Sequence, residues 1–291
     1  MDDADWRRLI HQLRQGDCTP MLGAGAVAGT VPTAGMIADV LAHRYGYPFT
    51  DTWNLARVTE YASVISRDSI DVKEEFRALV SRDVPDFNDP NDVHGLLAEF
   101  PIPLFITTNY DNFMQDALLL RGKLPTSVIP PWYEEVPRRP TELERYSPSV
   151  EQPLVYHLHG SMSSPESLVL TESDYLEYLV KLTEERVTGG STLVPLPVLH
   201  ALTAKPVFFI GYSLNDWTFR FLFHGLLRSL SRAQRRRNIS VMLAPLHSSE
   251  AGEEEARTFV LRDLERFNVS IYWGTVTDFC KELRLKIGSY P

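Results

Sequence analysis

Residues 19–28 read Thr-Pro-Met-Leu-Gly-Ala-Gly-Ala-Val-Ala, a short run that ends abruptly in a glycine-rich turn. Short, largely apolar runs bounded by glycine are typical of strands covered on both faces of a sheet. The segment from Gly23 to Ala28 fits the G-x-G-x-x-G/A pattern, whose glycines let the backbone approach a pyrophosphate while the next helix offers its positive end. The stretch therefore predicts a strand followed by a nucleotide-binding loop, and an ordinary strand-to-helix turn is the alternative.

Five further runs of this kind occur along the chain, with helical patterns between most of them. The predicted strands are Thr19–Leu22, Leu104–Thr107, Leu154–Leu158, Val207–Ile210, Ile239–Leu243 and Val269–Trp273. The predicted helices are Asp5–Gln15, Thr33–Tyr45, Trp53–Ile65, Ser69–Ser81, Asp111–Arg121, Thr171–Val187, Asp216–Leu230 and Glu250–Phe267. Strands that alternate with helices predict an α/β fold with a Rossmann-like, mostly parallel sheet and helices on both faces.

The chain length favours a single domain over residues 1–291, with two interruptions of the strand–helix alternation. Residues 46–100 have helical patterns and no convincing strand, so we expect a helical insertion there. Residues 122–153 contain seven prolines and little periodicity. This second segment is predicted to be a long ordered loop or a mobile lid.

Composition and charge restrict the class of protein. The net charge of −9 makes the chain a poor general binder of nucleic acid or of anionic membranes. The N-terminus has no apolar signal core, and no stretch approaches the roughly 20 apolar residues of a membrane helix. The two cysteines, Cys18 and Cys280, cannot form a four-cysteine zinc site and suggest a reducing compartment. We therefore expect a soluble cytoplasmic protein.

Four polar or glycine-rich motifs directly follow four of the predicted strands. The motifs are Gly23-Ala-Gly25, Thr107-Thr108-Asn109-Tyr110-Asp111, His159-Gly160 and Gly211-Tyr212-Ser213. In an open parallel sheet, ligands bind beyond the carboxyl ends of the strands, so all four motifs are expected at one edge. Helices, rather than a second strand ending in an acidic residue, follow the first motif, which disfavours ordinary hydride-transfer chemistry.

The ordered set of four motifs resembles the sirtuin superfamily, and in particular the sirtuin-like NAD-cleaving effectors of bacterial anti-phage defence. The resemblance extends from about Thr19 to Arg228. It implies dinucleotide-binding roles for the glycine loop and for the segments after the second and fourth strands. The residues with this implied role are Gly23, Ala24, Gly25, Thr108, Gly211 and Ser213.

The same resemblance implies catalytic roles for Asn109, Asp111 and His159. Asn109 can hold a ribose hydroxyl or a water molecule, since its amide both donates and accepts hydrogen bonds. His159 has the side chain suited to general-base work near neutral pH. Asp111 is expected to stabilise positive charge on the ribose, and capping of the following helix is an equally good interpretation.

Two departures from the sirtuin pattern bear on the activity. The four-cysteine zinc ribbon is absent, and Val27 stands where the family usually has serine. No metal site is expected, because the His157-x-His159 pair has no further Cys/His cluster to supply the three or four ligands that zinc needs. His157 and His159 are two residues apart, so both are expected to face the same way. Protein deacylation is weakened by these departures, whereas dinucleotide cleavage is not.

The resulting hypothesis is an NAD⁺ glycohydrolase that releases nicotinamide and ADP-ribose. Depletion of NAD⁺ would arrest an infected cell, so control by oligomerisation or by a separate protein is expected. The resemblance suggests a HerA-like hexameric ATPase as the partner, with an Argonaute-type protein as the alternative. An NAD-dependent protein deacylase and a non-catalytic NAD- or ADP-ribose-binding subunit are the alternative functions.

Overall fold

The centre of the protein is a seven-stranded sheet in which every pair of neighbouring strands is parallel. The computed structural model describes residues 1–80, 83–134, 146–188, 193–212, 238–242, 253–265 and 269–290. The strands are β1 (Thr19–Leu22), β2 (Leu104–Thr107), β3 (Thr126–Val128), β4 (Leu154–His157), β5 (Val207–Tyr212), β6 (Asn238–Met242) and β7 (Val269–Trp273). The α/β class and the parallel sheet predicted from the sequence are confirmed.

The strand order is β3-β4-β2-β1-β5-β6-β7, so the chain starts in the middle of the sheet. After β1 and β2 the chain forms the edge strand β3, places β4 between β3 and β2, and then crosses back to put β5 on the other side of β1. The order therefore reverses between β1 and β5. In open α/β sheets, the crevice at such a reversal is where ligands bind.

The helices cover both faces of the sheet. Those described are α1 (Asp3–Gln15), α2 (Ala34–Tyr45), α3 (Leu55–Ser66), α4 (Ser69–Leu79), α5 (Val93–Ala98), α6 (Phe113–Leu120), α7 (Glu172–Thr188), α8 (Leu196–Ala204), α9 (Glu253–Glu265) and α10 (Val276–Ser289). Several of these helices begin at a residue whose side chain accepts a hydrogen bond from a backbone N–H of the first turn. At α7, for example, Thr171 Oγ1 accepts from the Asp174 N–H at 3.0 Å, and an Asp174 carboxylate oxygen accepts from the Thr171 N–H at 2.9 Å.

Strand residues alternate between two apolar clusters, one on each face, as the pleat of a strand requires. The first cluster contains Leu22, Phe105, Val155, Phe208 and Ile210 together with side chains of α1, α5, α6 and α10. The second contains Met21, Ile106, Tyr156 and Phe209 with side chains of α7 and α8. Because both faces are covered, the strands show continuous apolar runs in the sequence.

A third apolar cluster lies among α2, α3 and α4, where Leu41, Val58 and Phe76 pack with Leu168 and Leu170. Helix α5, also within residues 46–100, packs instead in the first cluster beside the sheet. Residues 46–100, which were expected to form a helical insertion, therefore contribute to both the first and the third apolar cluster. Helix α2 precedes this segment and also packs in the third cluster. Its status as an insertion in a single domain stays a prediction.

Several elements differ from the sequence-based expectation. Strand β3 lies within the proline-rich segment 122–153, where no strand was expected, and α5, α8 and α10 were also missed. Residues 135–145 of that segment and the whole of the helix expected at 216–230 lie outside the described residues. So do the end of the strand expected at 239–243 and both ends of the helix expected at 250–267. None of the described helices is long and apolar enough to cross a membrane.

A buried ion pair joins the α2–α4 helices to α7. Lys73 Nζ lies 3.0 Å from Asp174 Oδ1, and the Lys73 side chain is only 4% exposed. The ammonium group also lies 5.3 Å from the centre of the Trp132 ring. Since the same carboxylate accepts the Leu170 and Thr171 N–H groups, Asp174 both caps α7 and neutralises a buried cation.

Replacing Asp174 tests this linkage. Asp174→Ala should lower the free energy of unfolding by about 3–5 kcal/mol, because it leaves the Lys73 charge buried without its partner. Glu177→Ala is the matched control on the same helix, since the Glu177–Lys181 pair is exposed and should contribute less than about 1 kcal/mol. Urea unfolding followed by circular dichroism gives both values, and equal losses would contradict the assignment.

Candidate functional site

The carboxyl ends of β1, β2 and β5 meet in the crevice at the strand-order reversal. The Gly23 N–H donates to the Ile210 carbonyl at 2.8 Å, and the Thr108 N–H donates to the Leu22 carbonyl at 2.9 Å. The Asn109 Nδ2 group donates to the Gly23 carbonyl at 3.1 Å. The glycine loop and the segment after β2 are therefore held directly against each other.

Gly211 permits the close approach of β5 to the glycine loop. Its φ of 76° lies in the left-handed region, and a methyl group placed on its Cα would lie 2.4 Å from the Ala26 backbone nitrogen. No side chain fits there without displacing the loop. In addition to the binding role expected from the sequence, Gly211 has a structural role, because only glycine lets β5 pack this closely against the glycine loop.

The hydrogen bond to Gly23 fixes the orientation of the Asn109 amide. Nδ2 is the donor to a carbonyl, so Oδ1 is left as an acceptor, and it makes no hydrogen bond within the part of the chain that the structure describes. The side chain is 8% exposed. An amide held in this way presents an acceptor to a hydroxyl group or to water.

His159 follows β4 and lies beside the segment after β2. The Met162 N–H donates to the Tyr110 carbonyl at 2.8 Å, and the Tyr110 hydroxyl donates to the Val169 carbonyl at 2.7 Å. Gly160 turns the chain with a φ of 85°, and a methyl group on it would lie 2.1 Å from the Ser167 carbonyl oxygen. The structure thus brings the described parts of all four motifs to one edge of the sheet.

The His159 ring is buried between aromatic side chains of α7. The rings of Tyr175 and Tyr178 meet it edge to face at centroid distances of 5.6 and 5.9 Å. Its nitrogens have no hydrogen-bond partner among the described residues. Burial lowers the pKa of His159 to about 3, so the imidazole is neutral at pH 7 and can accept a hydrogen bond.

His157 does not share the surroundings of His159, contrary to the expectation from their spacing. Its Nε2 lies 3.2 Å from the Gln115 amide oxygen on α6, at the opposite face from α7. Strand β4 ends at His157, and the chain then turns, so the alternation of side chains no longer applies. Burial lowers the pKa of His157 to about 4. In the described part of the chain, no group of three His, Cys, Asp or Glu side chains could hold a metal ion.

Asp111 has a helix-capping contact. Its Oδ1 accepts the Phe113 N–H at 3.0 Å, at the start of α6. Burial raises the pKa of Asp111, while the neighbouring His94 and the Phe113 N–H act in the opposite direction. This contact favours the capping interpretation, and a catalytic role for Asp111 stays a prediction.

The sequence matches the family model described as a SIR2-like domain over residues 103–264, which is more than half of the chain. The chain belongs to the SIR2-like family. The matched range begins at β2 and includes Asn109, His159 and Gly211, whereas the glycine loop precedes it.

Three relatives carry the name NAD(+) hydrolase ThsA. The protein from Enterococcus faecium is 24% identical over 212 residues, which cover 66% of this chain and 40% of that protein. The protein from Acinetobacter baumannii strain 532279 is 22% identical over 205 residues, covering 67% and 38%. The protein from Bacillus cereus strain MSX-D12 is 24% identical over 186 residues, covering 62% and 35%. This SIR2-like chain thus spans no more than two fifths of the length of these relatives.

The remaining sequence-predicted residues differ in what they present to a ligand. Gly23 and Gly25 are buried in the SIR2-like site, and Ala24 is exposed. The Thr108 hydroxyl is engaged inside the protein, 2.9 Å from the Tyr212 hydroxyl. Ser213 lies outside the described residues.

The helix expected at Thr33–Tyr45 is confirmed as α2, but it does not directly follow the glycine loop. One 3₁₀ turn, Ala24–Val27, follows the loop, and α2 begins only at Ala34. Small residues with no N-cap side chain close a single tight turn here. The backbone N–H groups of the loop, rather than the end of an α-helix, are therefore what this segment offers to an anion.

Sequence reasoning missed three tyrosines at the SIR2-like site. Tyr175 and Tyr178 enclose His159, and Tyr212 underlies the glycine loop. Tyr212 stands inside a recognised motif, and its position between a glycine and a serine was the available signal. Tyr175 and Tyr178 lie on a helix distant in sequence from His159, and no local pattern connects them.

A cavity of about 400 Å³ lies at the opposite edge of the sheet, away from this site. Its walls include Thr19, Leu104, Tyr146 and His200, near the amino ends of β1 and β2. Cys18 also lines it, and burial raises the pKa of this thiol to about 12. The cavity holds none of the residues expected to bind the dinucleotide.

A pair of glycine substitutions tests the role of Gly211. Gly211→Ala combines a left-handed backbone with a clash against Ala26, whereas Gly122→Ala has nearly the same φ, 75°, with no atom within 4 Å. We expect Gly122→Ala to cost about 1–2 kcal/mol for the backbone. Gly211→Ala should cost about 1–3 kcal/mol more for the clash. Equal free energies of unfolding for the two variants, measured in urea, would contradict the packing role of Gly211.

The two buried histidines predict a pH dependence of stability. Their folded pKa values lie below the unfolded value of about 6.5, so the unfolded chain binds more protons between pH 4 and 6.5. Their stabilisation is complete above about pH 6.5 and is lost as the pH falls through the folded pKa values, about 4 for His157 and about 3 for His159.

Each histidine should contribute up to about 1.4 kcal/mol per pH unit between pH 5 and 6.5. The double variant His157→Gln/His159→Gln should show a shallower slope of unfolding free energy against pH than the wild type. Urea unfolding at several pH values measures both slopes. Identical slopes would mean that the two imidazoles are not held neutral.

Proposed function

We propose that this chain is an NAD⁺ glycohydrolase. It cleaves the bond between nicotinamide and ribose with water and releases nicotinamide, ADP-ribose and a proton. Membership of the SIR2-like family and the names of the relatives support this choice of substrate. Because the chain spans only part of those relatives, the activity of the whole relatives is carried over here as a proposal.

The observation that carries the proposal is the Asn109–Gly23 hydrogen bond of 3.1 Å. It joins a polar acceptor to a loop suited to a pyrophosphate, so one ligand with a phosphate and a ribose can contact both. The bond lies at the strand-order reversal, where α/β sheets bind nucleotides. His159 stands at the end of β4, the strand that pairs with β2.

Cleavage of the nicotinamide–ribose bond requires the protein to position the ribose and a water molecule. When the bond breaks, its electron pair moves to the nicotinamide nitrogen, so the leaving group departs neutral and positive charge develops on the ribose. Water then bonds to the anomeric carbon and loses a proton. Asn109 Oδ1 holds the water or a ribose hydroxyl, and the buried site limits competing solvent.

His159 contributes as a hydrogen-bond acceptor rather than as the general base. A general base works best with a pKa near the working pH, and burial lowers the pKa of His159 well below it. A neutral imidazole also avoids repulsion of the positively charged substrate. The proton released by water passes to solvent, since the attack on a cation-like ribose requires only a weak base.

We further propose that the activity serves anti-phage defence in the cytoplasm by depleting NAD⁺. The free, buried thiols of Cys18 and Cys280 are compatible with a reducing compartment. Loss of NAD⁺ is toxic, so the activity is controlled by oligomerisation or by a partner. A HerA-like hexameric ATPase is the favoured partner, and an Argonaute-type protein is the alternative.

Two other functions are retained as outcomes of the test. An NAD-dependent deacylase would transfer an acetyl group from a peptide and form O-acetyl-ADP-ribose. A binding subunit would take up NAD⁺ or ADP-ribose without cleaving either. The presence of both Asn109 and His159 at this edge of the sheet favours cleavage over binding alone.

Nicotinamide release from NAD⁺, measured by chromatography, tests the proposed function. We expect turnover by the wild type and a loss of about 100-fold or more in Asn109→Ala and His159→Ala. His200→Ala is the matched control, because this exposed histidine lines the cavity at the opposite edge. Circular dichroism of each variant establishes that the fold is retained.

The possible outcomes separate the three functions. Turnover that survives both site substitutions contradicts the site assignment. O-acetyl-ADP-ribose formed from an acetylated peptide identifies a deacylase. NAD⁺ binding by calorimetry without cleavage, even with a co-purified partner present, identifies a binding subunit. Cleavage that requires the partner supports the proposed control.

A further inference from the structure

Tyr212 joins the ends of the three strands beneath the candidate site. Its side chain is fully buried at the end of β5. The hydroxyl donates to the Leu22 carbonyl of β1 at 3.0 Å and lies 2.9 Å from the Thr108 Oγ1 after β2. A single phenol group therefore contacts both segments that flank the crevice.

The ring of Tyr212 supports the glycine loop as its hydroxyl supports Thr108. A methyl group placed on Gly23 would lie 2.9 Å from the ring carbons, so the Gly23 backbone rests directly on the ring. The Asn109–Gly23 hydrogen bond spans the same two segments on the other side. Tyr212 therefore contacts both of the segments that this hydrogen bond joins.

We propose that Tyr212 is a positioning residue for Asn109. Its hydroxyl holds Thr108, and its ring holds Gly23, at the spacing that turns Asn109 Oδ1 toward the ligand. Tyr212 is buried and does not touch the substrate. Its effect on turnover rests on the proposed function, whereas its effect on the segment geometry does not.

The hydroxyl is not needed to satisfy the backbone around it. The Leu22 carbonyl also accepts the Thr108 N–H at 2.9 Å, and Thr108 Oγ1 has that same carbonyl within 3.3 Å. In Tyr212→Phe, neither group is left without a partner. If Tyr212 had only a structural role, Tyr212→Phe would change the stability and the turnover little. If it positions Asn109, the same change removes the restraint on Thr108 and lowers turnover.

Enzyme kinetics with a matched control tests the proposal. Tyr212→Phe should lower kcat about 10-fold and change KM less than about twofold, because the reacting geometry rather than the binding surface is altered. Tyr156→Phe is the control, since Tyr156 is an equally buried tyrosine on β4 whose hydroxyl donates to the Leu193 carbonyl. It should leave kcat within about twofold of the wild type.

The double variant Tyr212→Phe/Thr108→Val shows whether the two hydroxyls act together. If they do, the loss of kcat in the double variant is no larger than the greater of the two single losses. Multiplicative losses, or a kcat in Tyr212→Phe equal to that in Tyr156→Phe, overturn the proposal.

Hydrogen–deuterium exchange provides a readout that does not depend on turnover. Peptides covering residues 21–26 and 107–110 should exchange faster in Tyr212→Phe than in the wild type, and at wild-type rates in Tyr156→Phe. Unchanged exchange in Tyr212→Phe overturns the positioning role. If these exchange differences are found but the wild type releases no nicotinamide even with a co-purified partner present, the proposed function is contradicted and the positioning role stands.

Discussion

The contact between Gly211 and the Gly25–Ala26 backbone is the constraint on which the site depends. It allows β5 to continue alongside the loop that leaves β1, at the point where the strand order reverses. Two backbones that touch without an intervening side chain leave no room for another residue type. The candidate site residues at this edge of the sheet are arranged around this close contact between β5 and the glycine loop.

From this contact the site extends outward by hydrogen bonds between neighbouring strand ends. Tyr212 and Asn109 connect β1, β2 and β5, and the Tyr110–Met162 bond adds the turn after β4. These residues are far apart in sequence and lie together because parallel strands place all their carboxyl ends at one edge. A SIR2-like chain therefore assembles its site only when the centre of the sheet is complete.

Much of the fold follows from patterns that a single sequence contains. Strands β1, β2 and β5 are buried on both faces, and this produces the continuous apolar runs that identify them. Strand β3 has no such run, because Thr126–Val128 is a three-residue edge strand whose side chains are partly exposed. Helix α5 was missed because its six residues are all buried, so no polar face marks a helical period.

The site was predictable in position but not in detail. Motifs at the ends of buried strands locate the edge, since topology alone brings them together. The side chains of His157 and His159 point in different directions because β4 ends at His157. The end of a strand can be predicted from sequence only to within a few residues, so this difference was not predictable. The low pKa of His159 depends on Tyr175 and Tyr178, which reach it from a distant helix.

The buried Lys73–Asp174 pair also bears on the surroundings of His159. It fixes α4 to the first turn of α7, and Glu60 of α3 adds hydrogen bonds to Ser173 in that turn. Tyr175 and Tyr178, which enclose His159, follow within the next turn. The imidazole of His159 is thus packed against a helix whose first turn is anchored by α3 and α4, so its surroundings depend on helices that do not touch it.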